Sequence, residues 1–190
     1  METLEAIRTR RTVGKSTGDV PREMIAELVE AATWAPNHKL TQPWRFTVVT
    51  GAARERLGAV WAREAAATAE PAARAAVLEG EAKKPLRAPA LIVVSTRTDA
   101  NPVTAEEDLA ATAAAVQNLL LAAHAKGLSA AWKTGKIVHN AEVKRFLGIE
   151  PSDRVIAVVY LGAVAKEETA ARGRAVASTI TWLDEAALPV

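Results

Sequence analysis

Four short apolar runs, separated by segments with helical spacing, constrain the fold of this chain more than any other feature. Residues 155–161 form the strongest run, which ends at Gly162, and residues 90–95 form a second run of strand length. Continuous apolar runs are typical of strands buried on both faces, so we expect residues 90–95 to be a central strand. Residues 45–50 and 128–132 add two further strand candidates. The sequence therefore predicts four strands interleaved with helices.

Helical periodicity describes the first half of the chain between these strands. Thr3 is expected to cap a short first helix, and Pro21 to open a second helix. An apolar stripe of helical period marks the buried face of that second helix: Met24, Ile25, Leu28, Val29 and Ala32. Residues 52–83 are rich in Ala, Arg and Glu, which predicts two modest helices divided near Pro71.

The longest predicted helix lies in the second half of the chain. Thr104 and Glu107 have the spacing of a capping box, and Gly127 supplies the stop. Six apolar residues would line one face, which we expect to be buried against a partner subunit: Leu109, Ala113, Val116, Leu119, Leu120 and Ala123. A small helix should follow, capped by Asn140 and ended by Gly148.

Composition indicates a single domain, residues 1–190, with a substantial core. The chain has 190 residues, of which 49% are hydrophobic, and it carries no internal repeat or linker. Residues 163–190 contain one β-like patch, residues 178–183, which is too small to bury itself. We therefore expect this C-terminal arm to lie along another surface.

Several classes of protein are disfavoured by the sequence. The absence of Cys excludes thiol chemistry, so redox activity would need a bound cofactor, and the three His residues lack the spacing of a zinc site. Serine-hydrolase, Walker and Rossmann motifs are missing. No apolar run of about 18 residues predicts a membrane span, and no secretory signal is visible, so a cytoplasmic location is expected. A net charge of +2 with dispersed acids argues against a nucleic-acid-binding protein.

Three polar segments remain as candidates for binding. The arginine segment, residues 10–12, contains Arg10, Arg11 and Thr12, and Arg8 and Lys15 add cations nearby. Guanidinium groups and a hydroxyl suit one phosphate group, although a solvated helix end would have the same pattern.

The other two segments each follow or precede a predicted strand. The His38 loop, residues 35–46, holds an imidazole and several amide and cationic groups between two prolines, which make a stiff loop. The Trp132 turn, residues 132–135, combines Trp132, Lys133 and Thr134 with Gly135, a set that could meet a planar ring. The alternative is that Trp132 belongs to the core and Lys133 to the solvent.

Taken together, these segments resemble the nitroreductase family of flavin enzymes. The resemblance covers most of the chain. It rests on four motifs, which are Arg10-Arg11-Thr12, Ala35-Pro36-Asn37-His38 followed by Gln42-Pro43-Trp44-Arg45-Phe46, the Trp132 turn, and Tyr160-Leu161-Gly162. It is closest to the small bacterial members. It implies an α+β fold with a central mixed β-sheet flanked by helices, in a homodimer whose C-terminal arms are exchanged.

The resemblance also implies a cofactor and its site. FMN would be bound non-covalently at the dimer interface by nine residues: Arg10, Arg11, Thr12, Lys15, Trp34, His38, Trp132, Lys133 and Thr134. Lys15 or Lys133 would supply the cation near the N1/O2 edge of the flavin. Residues implied for NAD(P)H are Ala122, Ala123, His124, Ala125, Lys126 and Gly127. No metal is expected.

The implied activity is an FMN-dependent oxidoreductase. Hydride would pass from NAD(P)H to the flavin, and electrons would then pass to a nitroaromatic, a quinone or a related acceptor. The flavin carries the chemistry, so no side chain is a certain catalytic residue, although His38 is a candidate proton donor. Two alternatives stay open, which are a flavin carrier or sensor without reductase turnover, and a small basic nucleic-acid module built on the arginine segment.

Overall fold

A four-stranded sheet forms the centre of the protein, and helices cover both of its faces. The computed structural model describes residues 1–165 and 179–182. The helices are α1 (Thr3–Thr9), α2 (Arg22–Thr33), α3 (Ala52–Ala67), α4 (Arg74–Ala82), α5 (Pro102–Ala125) and α6 (Ala141–Leu147). The strands are β1 (Ser16–Thr17), β2 (Trp44–Thr50), β3 (Ala90–Thr96), β4 (Ser129–Lys133), β5 (Arg154–Gly162) and β6 (Val164–Ala165). Short 3₁₀ turns occur at His38–Leu40, Pro71–Ala73, Lys84–Arg87 and Lys136–His139.

The strand order of the main sheet is β2-β3-β5-β4, and β1 and β6 form a separate two-stranded sheet. All four predicted strands are confirmed, and β3 is central as expected. The three pairings of the main sheet are antiparallel. The predicted α+β class is thus confirmed. The predicted mixed sheet would need at least one parallel pair of strands, and the described strands of the main sheet contain none.

Both faces of the sheet are buried, which explains the unbroken apolar runs in the sequence. On β3, Ile92 and Val94 face a core shared with α2 and α5, whereas Leu91 and Val93 face a second core shared with α3 and α6. Because side chains alternate along a strand, a strand between two cores needs apolar residues at every position. The predicted helix pair in residues 52–83 is confirmed as α3 and α4.

Two predicted helix starts are wrong by a few residues. The helix α5 begins at Pro102, and the side chain of Asn101 accepts hydrogen bonds from the backbone N–H groups of Val103 and Thr104. Thr104 therefore lies inside the helix, because Asn101 caps it and Pro102 suits the first helical position. Glu2 occupies the N-cap position of α1 in place of Thr3.

Other helix boundaries follow the sequence signals. Asn140 caps α6 through the N–H groups of Glu142 and Val143, and Gly148 ends it at a φ of 67°. The predicted stripe of α2 is confirmed at Ile25, Leu28 and Ala32, which are buried. The buried face of α5 consists of Asp108, Ala111, Thr112, Ala115, Val116, Leu119, Leu120 and Ala123, with Leu109 and Ala113 only partly buried. This helix packs against α2 in the same chain.

Part of the predicted C-terminal arm lies outside the described residues. Val164 and Ala165 pair with β1, and residues 166–178 and 183–190 are outside the described part. Residues 179–182, the described part of the β-like patch, belong to no strand ladder of the described chain. The prediction that the arm lies along another surface stays a prediction. In the described part of the chain, every helix is too short or too polar to cross a membrane.

Candidate functional site

The residues that follow the arginine segment lie along the outer edge of β4. The backbone N–H of Val13 donates to the carbonyl of Ala130 at 3.4 Å, and Ser16 lies against Gly162, which pairs with Ser129 at the start of β4. Residues 16 to 10 therefore run in the direction in which β4 runs from Ser129 towards Trp132. Two of the three predicted polar segments, the arginine segment and the Trp132 turn, thus meet at one edge of the sheet.

Arg11 has a structural contact in addition to any role in binding. Its Nη1 donates to the carbonyl oxygens of Arg8 at 2.7 Å and Arg10 at 2.8 Å, at the C-terminal end of α1. A cation there satisfies terminal carbonyls and the negative end of the helix dipole. The Nη1 group of Arg11 therefore has the role expected of a cation at a helix end.

Three cations in and around the arginine segment supply positive charge to this part of the chain. Within residues 1–165 and 179–182, no carboxylate forms an ion pair with Arg8, Arg11 or Lys15. Arg10 is partly buried, whereas Thr12 is exposed. An anion at this edge of the sheet would have its charge balanced by these side chains.

The C-terminal end of α5 packs beside α1. The Thr9 hydroxyl donates to the carbonyl of Glu5, so the Nε2–H of His124 is the donor in the 2.8 Å bond between His124 and Thr9. Lys126 pairs with Glu27, and Ala123 is fully buried. Among the predicted NAD(P)H residues, His124 and Lys126 are the two with polar side chains. His124 is hydrogen-bonded to Thr9, and Lys126 forms an ion pair with Glu27.

Trp132 and Lys133 point to opposite faces of the sheet. The indole Nε1–H of Trp132 donates to the carbonyl of Ile156 at 3.1 Å, and 36% of the residue is exposed. The Nζ of Lys133 lies 5.3 Å from the ring centroid of Tyr160, over the core that contains α3. Burial and the charge of Arg87 both lower the pKa of Lys133. The Trp132 indole and the Lys133 ammonium therefore lie on different faces of the sheet. They do not point together at one planar ring, as the sequence had suggested.

The His38 loop is attached to the N-terminal part of α5. His38 Nδ1 donates to Glu107 Oε2 at 2.8 Å, and the Thr41 hydroxyl donates to the buried carboxylate of Asp108 at 2.6 Å. Inside the loop, the side-chain oxygen of Asn37 accepts from the Gln42 N–H at 3.0 Å. Several polar groups that the sequence offered as ligand donors thus hold the loop in place.

This loop also has a strained backbone. Lys39, Leu40 and Gln42 have φ values of 52°, 53° and 45°. Such conformations cost roughly 1–3 kcal/mol for a residue with a side chain, and they persist only where surrounding contacts impose them. The contacts to Glu107 and Asp108 supply that constraint, and they leave Leu40 exposed at the surface.

The His38 loop and the arginine segment lie at opposite ends of α5. Glu107 and His124 are both on this helix, and at a rise of 1.5 Å per residue their positions are about 25 Å apart along its axis. Within one chain the fold therefore brings two of the three predicted segments together and keeps the third away. Trp34, at the C-terminal end of α2, is 79% exposed.

The sequence reasoning missed a group of residues around Lys133. A cavity of about 200 Å³ is lined by Trp61, Lys84, Arg87, Lys133, Thr134, Gly135, Ile137, Val138, Val158 and Tyr160. The available signal was the spacing of Lys84 and Arg87, which are three residues apart just before a buried strand. In the described part of the chain, no three His, Cys, Asp or Glu residues lie close enough to hold a metal ion.

Comparisons with known proteins identify the family. A model of the nitroreductase family matches residues 7–163, so the chain belongs to this family. "Putative NAD(P)H nitroreductase YfhC" of Bacillus subtilis is 32% identical over 163 residues, covering 83% of this chain and 82% of the relative. "Putative NAD(P)H nitroreductase YdjA" of Escherichia coli is 29% identical over 164 residues, with 85% and 88% covered.

Solved structures have the same fold. A nitroreductase-like family protein from Bacillus cereus superimposes with a TM-score of 0.85 at 27% identity, over 97% of each chain. A nitroreductase from Desulfovibrio desulfuricans, solved in complex with FMN, gives a TM-score of 0.70 at 27% identity, over 97% of this chain and 98% of that one. The predicted family and the nitroreductase-like α+β fold are therefore confirmed.

Proposed function

We propose that this protein is an FMN-dependent oxidoreductase that takes hydride from NAD(P)H and reduces a nitroaromatic, a quinone or a related acceptor. Membership of the nitroreductase family supports the reaction class. The names of the B. subtilis and E. coli relatives support NAD(P)H, and the D. desulfuricans complex supports FMN. The cytoplasmic location stays a prediction from the sequence.

The observation that carries this proposal is the convergence of the arginine segment and the Trp132 turn at the edge of β4. FMN combines a doubly charged phosphate with a planar ring, so it needs cations next to a fixed apolar surface. Arg8, Arg11 and Lys15, which form no ion pair with a described carboxylate, belong to the segment on one side of this edge, and the Trp132 indole, fixed by its bond to Ile156, lies on the other. The residues present therefore fit the cofactor.

Each residue then has a distinct part in binding. Arg10 and Thr12 would hold the phosphate and ribityl groups, with Arg11 contributing the donors that the end of α1 does not use. Trp132 and Thr134 would line the isoalloxazine, and the exposed Trp34 could contact it from a second subunit. When bound, FMN supplies the capacity to accept a hydride and to pass electrons on, one or two at a time.

The electrostatic and proton-holding groups come from two different segments. Lys133 points away from the Trp132 face, so Lys15 is the better candidate for the cation that favours negative charge on the flavin. His38 presents Nδ1 to Glu107, which leaves Nε2 as the atom that can hold a proton near a substrate.

The separation of about 25 Å between Glu107 and His124 along α5 favours two chains if His38 and the arginine segment serve one cofactor. We therefore propose a homodimer in which each site combines the arginine segment and Trp132 turn of one protomer with the His38 loop of its partner. The exposed Leu40 and Val103 beside this loop are apolar groups that a partner would cover. The NAD(P)H segment, residues 122–127, would lie beside the arginine segment at the other end of α5.

Mixing two inactive variants tests the shared site. His38→Ala and Arg10→Ala are expected to have low turnover as homodimers, because every site lacks one residue. Refolding them together produces heterodimers in which one site carries both residues and the other carries neither. Activity should rise well above that of either variant, and no rise in a mixture shown to contain heterodimers would contradict the two-chain site.

The absorption spectrum of the purified protein tests the cofactor, and turnover tests the enzyme. We expect a flavin band that NADH or NADPH bleaches without oxygen and that a nitroaromatic restores. Bound flavin with negligible NAD(P)H oxidation in the presence of acceptors would favour the carrier alternative. Protein that binds no FMN when the cofactor is supplied would contradict the proposal itself.

A further inference from the structure

A second cavity, which we call the β2 cavity, lies where the start of β2 meets the end of β3 and the segment that follows α6. The Thr47 hydroxyl in its wall donates to the carbonyl of Leu147, the last residue of α6, at 3.3 Å. Ser95 faces the same side of the sheet, because it is two residues beyond Val93, the cross-strand partner of Thr47. The cavity volume of about 510 Å³ is within the ~300–1,000 Å³ typical of small-molecule sites.

The β2 cavity has charged side chains of both signs in its wall. They are Arg45, Arg97, Glu150 and Asp153. Within residues 1–165 and 179–182, none of the four forms an ion pair. Arg45 is nevertheless held in place, because its Nη1 donates to two backbone carbonyl oxygens of its own segment at 2.6 and 3.2 Å. Charges of opposite sign that do not neutralise each other can each attract a charged group of a ligand.

Two polar side chains in this wall are buried without a partner. Ser95 is 2% exposed and Asp153 is 9% exposed, and neither side chain has a hydrogen bond to another described residue. The Nζ of Lys144 donates to the backbone carbonyl of Asp153 at 2.6 Å, so it fixes this turn without pairing with the carboxylate. Buried polar groups in folded proteins normally have hydrogen-bond partners. The hydroxyl and the carboxylate therefore need a partner from outside the chain.

The arrangement of charges restricts the ligand. A simple anion would be repelled by the two carboxylates of the wall, and a simple cation would be repelled by the two guanidinium groups. A zwitterion can pair its carboxylate with the guanidinium groups and its ammonium group with the carboxylates. The buried side chain of Ile149 adds an apolar part to the wall, which favours a ligand that also has an apolar side chain.

We propose that the β2 cavity binds a small zwitterion with an apolar side chain, such as an aliphatic α-amino acid. Arg45 and Arg97 bind the carboxylate of the ligand, and the buried hydroxyl of the wall adds a hydrogen bond to it. Asp153 and Glu150 bind the ammonium group of the ligand. Its aliphatic chain lies against Ile149.

The β2 cavity is separate from the proposed flavin site. Thr47 in its wall and Lys133 on β4 lie in one row across the sheet, joined through Val93 and Val158. Because neighbouring strands are about 4.8 Å apart, the three steps from β2 to β4 span about 14 Å. None of the residues that line the β2 cavity is among those proposed for FMN or NAD(P)H. The proposal therefore adds a site that does not depend on the proposed function.

NMR of isoleucine methyl groups provides the readout. The chain has seven Ile residues, of which Ile149 lines the β2 cavity and Ile137 lines the cavity around Lys133. In protein with carbon-13 in these methyl groups and with FMN supplied, titration with leucine should shift the Ile149 resonance in a saturable manner. That resonance is assigned by its loss in Ile149→Val.

Two partial ligands test the requirement for both charges. Leucinamide keeps the ammonium group and lacks the carboxylate, whereas 4-methylpentanoate keeps the carboxylate and lacks the ammonium group. Both have the same aliphatic chain as leucine. At neutral pH, each should bind at least about tenfold more weakly than leucine, because it leaves one pair of charged side chains unused.

Two variants with a matched control locate the charged groups. Arg97→Gln should weaken the binding of leucine and 4-methylpentanoate about tenfold and leave leucinamide binding nearly unchanged. Asp153→Asn should weaken the binding of leucine and leucinamide and leave 4-methylpentanoate binding nearly unchanged. Arg145→Gln removes an exposed cation of α6 that does not line the cavity, so leucine affinity should stay at the wild-type value. If Asp153→Asn does not keep the wild-type methyl spectrum, Glu150→Gln at an exposed position carries the same test.

Three results would overturn the proposal. They are an Ile149 resonance that leucine does not move, a partial ligand that binds as tightly as leucine, and wild-type leucine affinity in the folded cavity variants. A shift confined to the Ile137 resonance would place leucine beside Lys133 and would overturn it as well. None of these readouts uses flavin reduction or turnover, so they distinguish failure of this proposal from failure of the proposed enzyme.

Discussion

Replacing Gly58 by alanine tests whether the close contact between α3 and α4 requires a residue without a side chain. A Cβ atom at Gly58 would lie 2.3 Å from the carbonyl oxygen of Ala82 and 3.2 Å from its carbonyl carbon. Both neighbours are backbone atoms at the end of α4, so no side chain can rotate away to make room. The end of α4 must move, and with it the chain that leads to Lys84 in the wall of the cavity around Lys133.

The expected magnitude combines two opposing effects. Alanine in place of glycine within a helix stabilises by about 1 kcal/mol, whereas overpacking a closely packed contact typically costs about 1–3 kcal/mol. Because the clash involves rigid backbone, we expect a net loss of about 1–2 kcal/mol. For a chain of this size, that corresponds to a decrease in Tm of roughly 2–8 °C.

Gly80→Ala is the matched control, since Gly80 is in α4 and nothing lies within 4 Å of its added Cβ. It should gain up to about 1 kcal/mol from helix propensity alone. Urea denaturation followed by circular dichroism, at one protein concentration and one flavin concentration, gives both free energies of unfolding. If Gly58→Ala proves as stable as wild type or more so, the inferred contact between the helices is wrong.

Three further perturbations follow from single contacts. Asn140→Ala should cost about 1 kcal/mol of unfolding free energy, because two backbone N–H groups of α6 lose the acceptor that lies at 2.8 and 3.2 Å. Asn140→Gly should cost only a few tenths of a kcal/mol. Equal losses in the two variants would contradict the cap. Burial raises the pKa of Tyr160 to about 12 from 10.0, so the folded state holds the phenol proton more tightly than the unfolded state. The protonated phenol therefore stabilises the folded state fully below about pH 10, and this contribution is lost as the pH rises through 12. Tyr160 is the chain's single tyrosine, so tyrosinate absorbance measures it directly, and ionisation at its ordinary pKa would refute burial. Lys15→Met should lower the midpoint potential of bound FMN more than Lys133→Met does, and the reverse order would contradict the orientation of Lys133.

The strands could be predicted because burial on two faces leaves a strong trace in the sequence. Residues 90–95 and 155–161 are apolar at nearly every position, and only a strand between two packed layers requires that. The start of α5 could not be predicted as well, because two capping signals lie three residues apart. Asn101 followed by Pro102 prevailed over Thr104, since Pro has no N–H to satisfy and its fixed φ is already helical.

The prediction for the Trp132 turn placed the end of the strand one residue too early. The predicted strand ended at residue 132, which left Lys133 in a turn beside Trp132, whereas β4 includes Lys133. Extending the strand by one residue is enough to send the two side chains to opposite faces, because the side-chain period of a strand is two. An error of one residue at a strand end thus moves a cation to the other face of the sheet, over the Tyr160 ring.

Sequence spacing also could not tell whether the polar segments act within one chain. The arginine segment and the His38 loop are separated by a single helix in the sequence, which makes them look like parts of one site. Both, however, are anchored to α5, and its 24 residues hold them at opposite ends. A helix of this length is a rigid spacer, so in one chain it keeps the two anchor points, Glu107 and His124, about 25 Å apart along its axis. This separation is the reason why we propose a site shared between two copies of the chain.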